Sequence, residues 1–123
     1  MNNEKLWIIT SGIAGFTGVT LGAFGAHGLR NILSPHLMSI YETGIYYHLV
    51  HAAAILAIAL VAKPKYYISA FFFMIGIVLF SFSLYAYSIT GITAIAIITP
   101  FGGVSFLTGW LMLVIKGFTN DKV

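Results

Sequence analysis

Polar residues divide the 123-residue chain into long apolar runs. After Lys5 no Lys, Arg, Asp or Glu recurs until Arg30. A helix needs ~20 apolar residues, rising 1.5 Å each, to cross ~30 Å of hydrocarbon. Residues 6–27 therefore predict a first membrane span. The run is too long for a cleaved signal peptide, whose apolar region has ~7–15 residues. A second span is predicted over 44–62, ending at Lys63 and Lys65. No charge then appears before Lys116, a stretch roughly twice as long as one crossing requires. It has to reverse, and Ser88-Ile89-Thr90-Gly91 supplies the turn between a third span over 66–88 and a fourth over 92–115. Thr99-Pro100 either kinks the fourth helix or starts it, since proline also suits a first helical position. The kink is the preferred reading.

Ser34-Pro35 resembles a helix cap followed by proline in the first turn. Leu37, Met38, Ile40 and Tyr41 then suit a short helix lying in the interface. The predicted fold is all-α: one integral membrane domain over residues 1–123, a four-helix transmembrane bundle with a short interfacial helix between helices 1 and 2. Four crossings bring both termini to one side. That side carries Lys5, Lys63, Lys65, Lys116 and Lys122, and the other only Arg30. The positive-inside rule then predicts a multi-pass protein of the cell membrane with both termini cytoplasmic.

Composition supports a bilayer as the solvent. Charged residues are 7% and hydrophobic ones 59% of the chain, with mean hydropathy +0.97, whereas soluble domains are about one quarter charged. The net charge of +3 comes from scattered basic residues and lacks the clustering of a nucleic-acid footprint. No nucleic-acid partner is expected. The absence of cysteine rules out disulfides and thiolate chemistry. Only Glu4, Glu42 and Asp121 are acidic, and two of them lie in terminal tails, so a paired-carboxylate enzyme is not expected.

On the predicted topology, His27 and Arg30 end the first span, and His48 and His51 lie in the outer part of the second. Tyr47 shares a helix face with His51 by the i,i+4 rule. Glu42 would need a break at Thr43-Gly44 to turn toward them. Tyr85 and Thr99 are brought to the same level by the third and fourth spans. These eight residues are the candidates for ligand binding or proton handling. His36 is expected to be solvated, and Tyr66, Tyr67, Tyr87 and Trp110 to serve as interfacial belt or packing residues.

Gly12, Gly15, Gly18, Gly22, Gly25 and Gly28 recur every three or four residues in the first span. Such a stripe admits a second helix at backbone distance. Gly102 and Gly103 are a weaker version in the fourth. The pattern is not the dinucleotide fingerprint, which needs G-x-G-x-x-G after a strand.

The motifs "GAFGAHGL" (Gly22 to Leu29), "YHLVHA" (Tyr47 to Ala52), "FSFSLY" (Phe80 to Tyr85) and "TPFGG…GW" (Thr99 to Trp110) occur in that order. Together they resemble the small membrane protein family known as domain of unknown function 423, related to the transmembrane protein 256 group. The resemblance spans nearly the whole chain. It implies a four-helix protein of the cytoplasmic membrane and no defined activity. Phe82 departs from the pattern, where glycine is expected, which puts close helix approach there in doubt.

Three functions compete. The first is transport of a small solute or ion through an outward-facing polar site in an oligomer, with titratable histidines as the working groups. The second is metal or haem binding by His27, His48 and His51. In the third, a structural or accessory role, each histidine hydrogen-bonds a neighbouring helix. Ionisable groups in a span are costly, roughly 2.5–3.5 kcal/mol when charged at the centre, and so point to function by default. Transport is the preferred expectation, and the cofactor is left open. The lipid bilayer and further copies of the chain, as a homo-oligomer, are the expected partners.

Overall fold

In a computed structural model that describes residues 2–121, the chain forms four long helices and, among the described residues, no strand. Lys122, included in the charge count above, lies outside the described residues. The helices are α1 (Asn3–Leu29), α2 (Pro35–Val61), α3 (Pro64–Thr90) and α4 (Thr93–Gly117), with 27, 27, 27 and 25 residues. Each is roughly 40 Å long at 1.5 Å per residue, enough to cross the hydrocarbon and extend into the headgroup region.

Two local expectations are corrected. Ser34 caps α2, its side chain accepting from the Leu37 amide at 3.2 Å, and Pro35 occupies the first turn as expected. The helix then continues to Val61, so residues 35–43 are its opening turns rather than a separate interfacial helix. Nothing breaks it at Thr43-Gly44. Thr43 donates its hydroxyl to the Ser39 carbonyl, and Gly44 makes room for Tyr85 of α3. The second correction concerns Pro100, which opens the regular α-helix Thr99–Gly117 after a 3-10 segment over Thr93–Ile97. Proline lacks an N–H, and the first turn is where a helix has no use for one.

The bundle is open. α1 packs along α2, α2 along α3, and α3 along α4, while α1 touches α3 only sparsely. The inner core joins Trp7, Ile55, Ile58, Ala59, Ala70, Phe73, Ile77 and Phe106. Gly18 meets His48 and Gly25 meets Tyr41, so α1 and α2 run antiparallel and the N-terminus lies at the end of the bundle that holds the α2–α3 turn. The C-terminal segment closes over the same turn. Lys63 and Lys65 pair with Asp121 at 2.6 and 2.7 Å, and Lys65 also donates to the Thr119 carbonyl at 2.8 Å. The hydrogen bonds from Lys63 and then Lys65 hold the Asp121 carboxyl down to about 2. The depressed value means that this contact stabilises above the ordinary carboxylate range and is lost as pH falls toward 2.

Glycines decide how closely the helices approach. A Cβ on Gly102 would strike the backbone of Leu79 and Phe80, within the wide π turn of α3 at Ile77–Ser81. The broadened turn and the bare α-carbon fit together. Gly18 lies against His48 and Leu49, and Gly25 against Tyr41. For Gly22 the equivalent contact, with Ile45, is ordinary at 3.4 Å. Gly103 is similarly loose against the Phe80 ring. Within the single chain, Gly15 and Gly28 make no close contact with another helix, where packing was expected. Open space lies in front of Gly15, and Gly28 meets only Phe24 of its own helix. The closest α1–α2 contact uses the C-terminal half of the stripe, where the two helices meet along Gly18, Gly22 and Gly25.

Gly102→Ala is expected to destabilise the detergent-solubilised protein by about 1–3 kcal/mol, the range for overpacking, and Gly117→Ala, at a position facing open space at the end of α4, not to lower its unfolding midpoint. Thermal unfolding followed by circular dichroism distinguishes them. Equal midpoints for the two variants would contradict this packing.

Candidate functional site

The candidate polar residues do not form one cap. His48 is the middle residue of α2 (Pro35–Val61), and His51 lies one turn beyond it, both buried. His27 and Arg30 are exposed at the far end of α1, where Arg30 bonds only its own helix at the Ala26 carbonyl. Glu42 is also exposed, beside a shallow groove with Ala26, Tyr41 and Tyr46. The expected convergence of His27 with His48 and His51 is thus corrected. Its cause is the start of α2. A helix beginning at residue 44 would leave His48 near the interface, whereas one beginning at Pro35 carries it to mid-depth.

His48 joins three helices. Its Nδ1 lies 2.8 Å from the Tyr85 hydroxyl on α3, and its Nε2 3.3 Å from Thr17 Oγ1 on α1. Thr17 already donates to the carbonyls of Ile13 and Ala14, at 2.9 and 3.1 Å. Its oxygen therefore accepts from His48, so Nε2 carries the proton and Nδ1 accepts from Tyr85. Phe82 meets the imidazole edge-on, with centroids 5.5 Å apart. Phe82 stands where glycine was expected and lines the space between α1 and α3. Between them is a groove of about 420 Å³, lined by Thr10, Thr17, His48, Met74 and Phe82 among others.

His51 faces the other way. Trp110 of α4 donates its ring N–H to Nε2 at 3.0 Å, and Nδ1 lies 2.7 Å from the Tyr47 carbonyl one turn back. The indole can only donate and the carbonyl only accept, so the proton is on Nδ1 and the ring is neutral. Phe106 stacks on the imidazole at 3.7 Å, and Phe73 meets it edge-on at 5.1 Å. Tyr47, itself partly exposed, stacks at 6.1 Å. Thr99 is bonded to Ser83 at 2.6 Å, which ties α4 to α3 instead of joining the histidines.

This arrangement is unsuited to metal or haem. Among the described residues no three His, Cys, Asp or Glu side chains come together as a metal site. His27 and His51 lie at different depths, so they cannot provide the paired axial ligands a haem needs. Free ring nitrogens are also lacking on His48 and His51.

Among the described residues six hydrogen bonds cross between helices: Tyr41 to the Leu21 carbonyl, His48 with Thr17, His48 with Tyr85, Ser83 with Thr99, Ser105 to the Phe72 carbonyl, and Trp110 to His51. Sequence reasoning missed Thr17, Tyr41 and Phe106, and placed Trp110 among belt or packing residues. One signal for Trp110 was available: an indole N–H within a membrane span has no water to bond and needs an acceptor, and a mid-span imidazole is among the few side chains able to provide one.

Comparison with known proteins adds a family relationship. Residues 21–103 match the family described as "Protein of unknown function (DUF423)". The chain is 39% identical over 116 residues to the UPF0382 membrane protein YwdK of Bacillus subtilis, covering 90% of this chain and 94% of that protein. It is 42% identical over 126 aligned residues to a UPF0382 membrane protein of Haemophilus influenzae, covering all of both chains. The UPF0382 inner membrane protein YgdD of Escherichia coli is 38% identical over 116 residues, covering 91% and 88%. No solved structure matches the chain.

Trp110→Phe leaves His51 Nε2 without its partner and is expected to cost about 1–2 kcal/mol, the upper range for such bonds within membranes. Nitrogen-15 NMR of the intact protein should find His51 protonated at Nδ1 and His48 at Nε2. A proton on His51 Nε2 would contradict the Trp110 bond.

Proposed function

This chain belongs to the family described as protein of unknown function DUF423, and from that premise we propose that it is a structural or accessory protein of the cell membrane, with both termini cytoplasmic and no catalytic role. One observation carries the reading: all four ring nitrogens of His48 and His51 are engaged within the chain, three of them by neighbouring helices. A transport group must exchange partners during its cycle, and here each such exchange would break contacts that hold the bundle. A tautomer set on both sides by hydrogen bonds supports orientation and packing.

Among the described residues, the grooves beside the histidines are lined mainly by apolar side chains, which supports the same reading. Of the bundle's buried polar side chains, His48, His51, Ser83 and Ser105 bond neighbouring helices, and the grooves beside the histidines open sideways toward lipid. Self-association fits the remaining glycines. Gly12 and Gly15, with Ser11, Ala52 and Ala53, line a shallow groove of about 460 Å³ on the α1–α2 face, suited to a helix from a second copy. The excess of lysine at the end bearing the termini supports the cytoplasmic assignment.

The absence of native cysteine makes topology directly measurable. Ser34→Cys in intact cells should react with a membrane-impermeant maleimide, and Asn3→Cys and Lys63→Cys only after permeabilisation. The reverse pattern would refute the orientation. In liposomes with an imposed proton gradient, the reconstituted protein should leave dye-reported leak at the level of empty vesicles. A flux abolished by His48→Gln and His51→Gln in a folded protein would overturn the accessory role.

A further inference from the structure

The turn between α2 and α3 is built from a left-handed Ala62, an extended Lys63 and Pro64 at the start of α3. So tight a reversal puts Lys63 and Lys65 on either side of a proline that cannot extend α2. The end of α4 brings Lys116 beside them, and the following residues fold back across the opening. The result is a cavity of about 400 Å³, lined by Lys63, Lys65, Lys116, Thr119, Asn120 and Asp121.

Within it, the two oxygens of Asp121 are divided between two ammonium groups. Lys63 reaches Oδ2 at 2.6 Å and Lys65 reaches Oδ1 at 2.7 Å. Lys65 is the more enclosed, with its side chain 18% exposed against 49% for Lys63, and it lies 5.0 Å over the Tyr66 ring. Three lysines against one aspartate leave the cavity's side chains with two net positive charges. The carboxylate occupies the position of an oxyanion shared between cations, and a phosphate has the same charge sign with more acceptor oxygens.

The surroundings select among phosphates. The helix ends that frame the cavity expose Leu60, Val61, Ile115 and Phe118, the last 89% accessible. Apolar side chains next to a cationic cavity at headgroup level suit an amphiphile with an anionic head and acyl chains, whereas a free anion would make no use of them. Basic pockets between membrane helices bind lipid headgroups in this way.

We propose that this cavity binds the phosphate of an anionic glycerophospholipid, with the Asp121 carboxylate as an internal competitor for Lys63 and Lys65. The site is separate from the buried histidines and does not depend on the accessory role. A lysine that faces the bound headgroup contributes roughly fivefold, the worth of one basic residue at an anionic membrane surface.

Native mass spectrometry of the full chain from micelles with equal phosphatidylglycerol and phosphatidylcholine provides the test. The chain is expected to retain phosphatidylglycerol preferentially. Lys63→Gln and Lys116→Gln should each lower retention roughly fivefold, Asp121→Asn should raise it, and Lys63→Arg should preserve it. Lys5→Gln, at the same end but outside the cavity, should change nothing. Equal retention of the two lipids would overturn the proposal. So would a loss with Lys5→Gln as large as with Lys116→Gln, since that indicates diffuse surface charge. Complete displacement by millimolar inorganic phosphate would identify a free-anion site and overturn the lipid assignment. Helix content by circular dichroism verifies that each variant is folded, and the arginine variant tests the charge without removing it.

Discussion

In a bilayer, apolar side chains gain little by leaving lipid for one another, so helices associate through close packing and through polar groups that have nowhere else to bond. His51 and Trp110 express that constraint most clearly. The indole has one donor and no acceptor, and the imidazole meets it with a bare nitrogen while its other nitrogen returns to the Tyr47 carbonyl. Since α2 and α4 have little backbone contact, their association rests on this bond and on the stacking of Phe106 over His51. α3 positions α4 through close packing at Gly102 and two further hydrogen bonds, and the Trp110 bond fixes its register against α2.

The same logic extends across the molecule. Tyr41 and His48 tie α2 to α1, His48 and Tyr85 tie it to α3, and Ser83 and Ser105 bond α3 to α4. Each bond averages about 0.6 kcal/mol in membrane proteins and reaches ~1.7, so their value lies in fixing register more than in strength. Glycine complements them by setting distance. Where Gly18, Gly25, Gly44 and Gly102 bring backbones or rings together, the hydrogen bonds act over short spans. Where Phe82 stands in place of glycine, it lines a groove between α1 and α3.

Histidines in the middle of a membrane span invite a chemical explanation, and this structure offers a mechanical one. An imidazole is useful here because it donates at one nitrogen and accepts at the other while remaining neutral. His48 uses the two positions to join α1 and α3, and His51 to join α4 to the backbone of α2. Two opposite tautomers in one helix follow from the partners and not from any property of the histidines themselves.

Several features were legible in the sequence because they depend on one helix and its solvent. Uncharged runs required four crossings, and Ser34-Pro35 marked a helix start. The lysine bias distinguished the two ends, and the ordered motifs indicated the family. Other features were not legible because they depend on where a second helix lies. Residues 35–43 are polar enough to rest at an interface, but they continue into α2 as one helix, packed on α1 through Tyr41 and on α3 through Gly44 and Tyr85. That added length carried His48 to mid-depth and separated it from His27, a change that no spacing in the sequence could reveal. Thr99-Pro100 allowed a kink or a start, and the bond from Ser83 to Thr99 fastens α3 to the point where the regular helix begins. Local sequence thus determined which segments enter the membrane, through the free energy of transferring each from water. Which polar groups meet was decided by tertiary packing, because a hydrogen bond needs its two atoms within about 3 Å, and only the assembled helices set that distance.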